Sequence, residues 1–205
     1  MRAKKEGMCR KEEAWFAMRA TYRRELKAKK LLEVHGIDSF VPMRYGITVR
    51  AGRKEKRLVP AIHNLIFVHS SLQRIREIKL KAPYLQYIMR EDEQKQKKAL
   101  IVPDRQMDDF IRLAQTYSES LVYMEPKLQV WEKGQRVRIT DGPFRGQEGE
   151  FVKLAGIKGK SVVVSVSGVV AVAITTVPAD CIEKIRTDET APKQAKKQMR
   201  IQKIR

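Results

Sequence analysis

The sequence changes its pattern near residue 127, and this change limits the folds that the chain can adopt. Before that point, helical and strand-like segments alternate. Residues 128–186 instead contain short β-rich segments separated by turns that carry glycine. These segments are Trp131, Arg136–Thr140, Glu150–Leu154, Ser161–Ser167, Val169–Thr176 and Cys181–Ile185. Short strands without intervening helices predict a small closed β-barrel as a second domain.

The first part of the chain, residues 14–116, predicts an α+β domain. Its pattern is strand, helix, several strands, helix and strand, which predicts helices packed on one face of a mainly antiparallel sheet. Met107, Phe110, Ile111 and Ala114 recur at helical spacing and predict a third helix that closes the domain. The other predicted elements are strands at Trp15–Ala20, Ser39–Pro42, Leu65–Val68 and Tyr84–Met89, helices at Tyr22–His35 and Leu72–Lys81, and a hairpin with its tip at Ala51–Lys54.

The remaining segments have no apolar face and are predicted to lie outside the two domains. Residues 1–13 are polar and basic, so we expect a disordered terminus. Residues 117–127 follow the last helix and contain Pro126, which indicates a linker. Glu91–Lys98 is polar throughout and is interpreted as a loop, and residues 187–205 form a basic tail.

The charge and cysteine content of the sequence limit the kinds of partner and cofactor that the chain is expected to bind. Lysine and arginine number 43 against 24 aspartates and glutamates, a net charge of +19 that favours contact with a polyanion or an acidic protein surface. Cys9 and Cys181 lie far apart without CxxC spacing, which argues against a disulfide framework or a zinc site. No apolar run has the length of a membrane span, and none follows the basic N-terminus as in a signal peptide. We therefore expect a cytoplasmic monomer that does not contact a membrane.

Catalytic groups are not apparent. His35, His63 and His69 are scattered without ligand spacing, and the carboxylates of Glu91–Glu93 lie in a polar run typical of a solvated loop. The sequence contains no nucleophile motif and no glycine loop for phosphate. We predict no catalytic residue, no metal site and no cofactor, and a protein that is not an enzyme.

The segment Lys133–Phe151 resembles the KOW motif. Val137 and Ile139 alternate inward along a strand, and the glycines that follow permit backbone conformations closed to other residues. The phenylalanine of the turn is expected either to plug the barrel or to mark its surface. The motif residues are Gly142, Pro143, Phe144, Gly146 and Gly149.

KOW motifs also occur in ribosomal proteins, so the first domain decides the family. Trp15–Arg19, Gly36–Ile37 before Phe40–Pro42, and His63–Val68 resemble the N-terminal domain of the NusG family. Here His63 stands where that family usually has proline, and Leu65 where it usually has tyrosine. The combined resemblance spans residues 15–186.

The resemblance implies a ferredoxin-like first domain, an SH3-like second domain and a role in transcription elongation or antitermination. Family members bind the clamp helices of the large RNA polymerase subunit through an apolar patch and hold a basic edge near the DNA of the transcription bubble or the nascent RNA. Carried over to this sequence, the polymerase-binding candidates are Leu65, Phe67, Tyr84 and Tyr87. The nucleic-acid-binding candidates are Arg19, Arg23, Arg24 and Lys27.

Alternatives stay open at this point. Leu65 and Phe67 could be core residues, and the cations Arg23–Lys30 could form a solvated helix face. In a housekeeping member of the family, the KOW domain would recruit the termination factor Rho or a small-subunit ribosomal protein. In a specialised paralog of the RfaH or UpxY kind, it would recruit a different partner. The altered His63–Leu65 segment favours the specialised paralog. A structural RNA-binding protein of the ribosome is the rival interpretation, and a reader of one specific RNA or DNA element is a third. Aromatic residues are too sparse to predict a base-stacking platform.

Overall fold

The computed structural model describes residues 13–50, 52–124, 134–154, 156–175 and 177–185. Predictions for residues 1–12, for Trp131 and for the basic tail lie outside these ranges. The elements of the first domain are, in chain order, β1 (Ala14–Ala20), α1 (Glu25–Val34), β2 (Asp38–Phe40), β3 (Met43–Arg50), β4 (Arg53–Pro60), β5 (Leu65–Ser70), α2 (Leu72–Lys81), β6 (Leu85–Tyr87), β7 (Met89–Glu91), β8 (Lys97–Ala99), β9 (Ile101–Val102) and α3 (Asp104–Ala114).

The main sheet of the first domain has the strand order β2-β5-β1-β6, with β9 pairing beside β6 on β1. Its pairings are antiparallel, and α1 and α2 each connect two of its strands. This is the split β-α-β arrangement of ferredoxin-like domains. The antiparallel α+β fold predicted from sequence is therefore confirmed.

Both faces of this sheet are covered, because side chains of β1 and β5 alternate between them. Phe16, Met18, Ile66 and Val68 share one buried cluster with residues of α1 and α2. The side chains of β1 and β5 that point to the other face, such as Ala17 and Phe67, pack with α3 instead. The two helices within the predicted strand order, α1 and α2, lie on one face as expected, whereas the face that α3 covers was not specified by its apolar stripe.

The segment Glu91–Lys98, for which the sequence predicts a loop, overlaps two short strands at its ends. β7 and β8 pair on either side of a turn in which the Asp92 carboxylate accepts hydrogen bonds of 2.9 Å from the backbone of Gln94 and Gln96. Lys98 adds an ion pair of 2.7 Å to the same carboxylate and, as the largest cause, holds the pKa of Asp92 below its ordinary value. Polar side chains closed this hairpin without an apolar face, so hydrophobic periodicity could not reveal it.

The second domain is a six-stranded antiparallel sheet. Its order is β10-β14-β13-β12-β11-β15, and a short 3₁₀ helix at Ala179–Cys181 precedes the last strand. Its strands are β10 (Leu121–Met124), β11 (Gln135–Ile139), β12 (Glu148–Lys153), β13 (Lys160–Val166), β14 (Val170–Ile174) and β15 (Ile182–Lys184). A β-rich C-terminal domain agrees with the KOW resemblance.

Strand β10 lies within the segment that the sequence indicated as a linker. Leu121–Met124 pair with Ala171–Ile174, and Leu121 and Met124 are buried. The local sequence does not distinguish this strand from a linker, because its pairing partner β14 and the side chains that bury it are distant in sequence. The described part of the connector is accordingly short and runs from the end of α3 to Leu121.

The two domains share one buried cluster. It runs from Phe67 and Phe110 in the first domain to Phe144 and Val166 in the second. Polar contacts border it: the Gln106 side chain on α3 donates to the Ser165 carbonyl at 3.1 Å and accepts from the Ser167 hydroxyl at 2.6 Å. The domains are thus packed together along α3 and β13.

Candidate interaction surfaces

Leu65 and Phe67, two of the predicted polymerase-binding residues, point to the same face of β5. Both are buried, at 4% and 0% exposure. The Phe67 ring packs edge to face on Phe110 of α3, with ring centroids 5.6 Å apart. In this structure Phe67 is therefore a core residue beneath α3, which is the alternative that the sequence left open.

Leu65 belongs to the same buried cluster as Phe67, and it also lines a cleft of about 600 Å³ between the domains. Apolar side chains of the first domain and the β13–β14 turn enclose the cleft, and cations of the first domain border it. The first-domain apolar lining includes Ile62, Leu65, Ile88 and Leu100, the turn contributes Ser167, Gly168 and Val169, and the cations are Arg19, Arg90 and Lys97. The cleft thus combines apolar surface with positive charge.

The other two polymerase-binding candidates lie in the opposite layer of the first domain. Tyr84 is buried in the α1–α2 cluster, and Tyr87 packs edge to face on Phe16 at 6.1 Å. Burial raises the pKa of Tyr87, whose hydroxyl has no hydrogen-bond partner among the described residues. The four candidates therefore do not form one patch in this structure.

The nucleic-acid-binding candidates divide in a similar way. Arg19, exposed on β1, is the register partner of Leu65 and borders the cleft. Arg23, Arg24 and Lys27 are exposed at the start of α1. The guanidinium of Arg24 lies 5.3 Å and the ammonium of Lys27 5.7 Å from the centre of the Tyr84 ring.

The loop before α1 carries a feature that the sequence did not indicate. Tyr22 and Arg23 have φ angles of 61° and 55°, in the left-handed region that residues with side chains seldom occupy. The Tyr22 side chain is 82% exposed. A single tyrosine between a strand and a helix carries no pattern, so sequence reasoning had no signal for its position.

The turn that resembles the KOW motif has the predicted backbone conformation at Gly142 and Gly146, but not at Gly149. Gly142 and Gly146 have φ angles of 83° and 86°, and the Gly146 N–H donates to the Ile139 carbonyl at 2.7 Å. Gly149 is required for a different reason, because a Cβ there would lie 2.5 Å from the Val163 carbonyl oxygen. Phe144 is buried in the shared cluster, so it plugs the domain, whereas Pro143 is exposed on the turn.

A long hairpin projects from the first domain. β3 and β4 pair over eight residue pairs, and one face exposes Tyr45, Ile47 and Val49. Its base touches the connector, where Lys56 forms an ion pair of 2.6 Å with Glu119. That ion pair, whose hydrogen bond is the largest cause, raises the pKa of Lys56 and lowers the pKa of Glu119.

The described ranges contain neither a cluster of metal-ligating side chains nor a membrane-spanning helix. Within them, no group of three or more histidine, cysteine, aspartate or glutamate side chains could hold a metal ion. None of the helices described is both long enough and apolar enough to cross a membrane.

A comparison with protein families finds a match to the first domain. A family model described as transcription termination factor nusG matches residues 13–111. The solved structure "Domain interaction in Thermotoga maritima NusG" is similar over 85% of this chain and 98% of that chain, at 21% identity and a TM-score of 0.46. A chain of "Crystal Structure of MjSpt4:Spt5 complex conformation B" is similar over 86% and 99%, at 15% identity and a TM-score of 0.25. Among curated proteins, no sequence matches this chain significantly.

Proposed function

We propose that this chain, whose residues 13–111 match the family model described as transcription termination factor nusG, is a transcription elongation factor that binds RNA polymerase through the cleft face of its first domain. The site is the apolar surface around Leu65, and its target is the pair of clamp helices of the large polymerase subunit. Binding there suppresses pausing or termination. The second domain recruits a further partner, for which Rho and a small-subunit ribosomal protein are the candidates.

One observation supports the proposal that this surface binds polymerase. The Leu65, Ile62 and Leu100 side chains belong to the same buried cluster as Phe67, and on their other side they line an inter-domain cleft of about 600 Å³. Apolar side chains that converge on an open concave surface are typical of a binding site. Phe67 supports this surface from beneath.

The basic edge supplies the nucleic-acid part of the proposal. Arg23, Arg24 and Lys27 are exposed together at the start of α1, and Arg19 lies beside the cleft. Contacts to phosphate need only positioned cations, so these residues orient the protein on a strand without reading its sequence. The net charge of +19 favours the same contact.

A pull-down of purified RNA polymerase by the full-length chain tests the proposal, in salt high enough to screen phosphate contacts. We expect retention by the wild type, loss in Leu65→Ala, and retention in Leu65→Tyr, which restores the residue usual in the family. Leu80→Ala is the matched control, because Leu80 is 87% exposed on α2 in the opposite layer. Circular dichroism verifies that each variant is folded.

The second domain lies against this face, so an additional variant separates masking from absence of binding. Val169→Asp places a charge in the turn that borders the cleft and disfavours the closed arrangement. Weak retention of the wild type with stronger retention of Val169→Asp would show a masked site. If neither protein retained polymerase, the proposal would fail, and cosedimentation with a ribosomal subunit in high salt would test the rival function.

A further inference from the structure

Hydrogen bonds on both sides hold the Thr21–Arg24 loop, in which Tyr22 and Arg23 have the left-handed conformation. The Arg23 N–H donates to the Asn64 side-chain oxygen at 2.9 Å, and Asn64, itself at φ 62°, donates its own N–H to the carboxylate of Glu25. Glu25 is 1% exposed. On the other side, Thr21 donates backbone and hydroxyl hydrogen bonds to the Tyr84 carbonyl at 2.9 and 3.2 Å. The loop is thus fixed on both sides.

The anchored loop exposes the Tyr22 ring to solvent. At 82% exposure the ring contributes almost nothing to the core, and within the described part of the chain the contact that the structure gives it is with the Arg24 cation. A strained backbone that surrounding contacts maintain is a recognised sign of a functional site. The observation to explain is therefore an aromatic ring held in solvent by a rigid, strained loop.

Cations surround that ring. The Arg24 guanidinium lies 5.4 Å from the centre of the Tyr22 ring and 5.3 Å from that of Tyr84, so it contacts both aromatics. Lys27 follows on the same side of α1, and Arg23 is adjacent in the loop. An exposed aromatic face bordered by positioned cations is the combination that binds single-stranded nucleic acid.

We propose that Tyr22 is a stacking platform for an unpaired base of single-stranded nucleic acid. The base lies on the open side of the Tyr22 ring, while the flanking phosphates contact Arg23 and Lys27. Duplex nucleic acid does not satisfy this site, because its bases are already stacked on one another. The inference deepens the proposed function by naming the form of nucleic acid that the basic edge binds.

Fluorescence anisotropy with a labelled oligothymidine of about twelve nucleotides tests this, using the full-length protein without polymerase. We expect Tyr22→Ala to weaken binding about tenfold and Tyr22→Phe to bind like the wild type, because the ring face does the stacking. Leu80→Ala is the control for an exposed apolar side chain. Thermal unfolding followed by circular dichroism verifies the fold of each variant.

An abasic strand of equal length separates stacking from charge. The wild type should bind it as weakly as Tyr22→Ala binds oligothymidine, and Tyr22→Ala should bind both strands alike. The salt dependence should be unchanged in Tyr22→Ala, whereas Lys27→Gln should lower its slope by about 1, since the lysine, unlike the tyrosine, neutralises a phosphate.

Equal binding of oligothymidine by the wild type and Tyr22→Ala would overturn the stacking site, and so would wild-type binding that does not distinguish the abasic strand. Stronger binding of a matched duplex than of the single strand would also overturn it. Polymerase retention in the pull-down would stand in each of these cases, so failure of the platform and failure of the proposed function are separable.

Discussion

The Phe67 ring is fully buried, and its edge-to-face contact with Phe110 joins the sheet to α3. Phe67→Ala should lower the free energy of unfolding by about 3–5 kcal/mol, because a cavity replaces a packed ring. Urea denaturation followed by circular dichroism measures this loss. Ile47→Ala is the control, since Ile47 is 75% exposed and its truncation should change stability by at most about 0.5 kcal/mol. A loss below about 1 kcal/mol at Phe67 would contradict its place in the core.

The same burial decides how polymerase binding is tested. A charged residue at position 67 would lie in the apolar core, so lost binding would report an unfolded domain rather than a lost contact. Leu65 is also buried, but it lines the cleft, and Leu65→Ala introduces no charge into the core.

Tyr123 on β10 should make stability depend on alkaline pH. Burial, with a smaller contribution from Tyr117, raises its pKa from 10.0 to about 12, and its hydroxyl has no hydrogen-bond partner in the described ranges. The folded state therefore favours the neutral phenol. The resulting stabilisation, at most about 2–3 kcal/mol, is complete below pH 10 and is lost as the pH rises to about 12.

Absorbance titration of the phenolates measures this effect together with urea denaturation at several alkaline pH values. In Tyr123→Phe one late-titrating phenol should be missing, and the fall in stability between pH 10 and about pH 12 should be shallower. An identical pH profile in the two proteins would rule out Tyr123 as the cause.

At the scale of the element, the KOW turn and strand β12 use glycine for two reasons that mutation can separate. Gly142 has a positive φ with open space around it, so Gly142→Ala should cost about 1–2 kcal/mol of backbone strain. Gly149→Ala should cost more, because its Cβ would lie 2.5 Å from the Val163 carbonyl and β12 could not stay paired with β13. Urea denaturation of both variants measures the order, and equal losses would contradict the close approach at Gly149.

At the scale of the whole molecule, α3 packs on both domains at once. The Gln106 side chain bonds to Ser165 and Ser167, and the Gln147 side chain donates to the Asp109 carbonyl at 3.4 Å. A chain with Gln106→Cys and Ser167→Cys, in which Cys9 and Cys181 are replaced by serine, should be cross-linked internally by a short bifunctional maleimide. Mobility on denaturing gels detects the cross-link, and the two single-cysteine variants are the controls.

Cross-linking should also reduce polymerase retention in the pull-down, because a locked second domain keeps Leu65 beneath the β13–β14 turn. Without the reagent, the double variant should be retained like the wild type. Failure to cross-link would mean that the packed arrangement is rare in solution, whereas cross-linking with full retention would place the polymerase contact elsewhere.

Local sequence predicted much of the element order, because helical spacing, β-branched runs and turn glycines act over a few residues. The stripe of α3 and the glycines of the KOW turn specify structure in this way. They also sufficed to suggest the family, since a motif is local. The hairpin at Asp92 and strand β10 escaped prediction because polar turn contacts and a distant partner strand stabilise them.

Burial and the grouping of surface residues depended on tertiary structure. Leu65 and Phe67 share a strand and an apolar run, but α3 covers Phe67 whereas Leu65 lines the cleft. Tyr22 and Tyr84 are far apart in sequence, and only the fold brings both within reach of Arg24. The physical reason is the same in each case: local propensity forms an element, but which face is covered and which residues meet depends on contacts between distant parts of the chain.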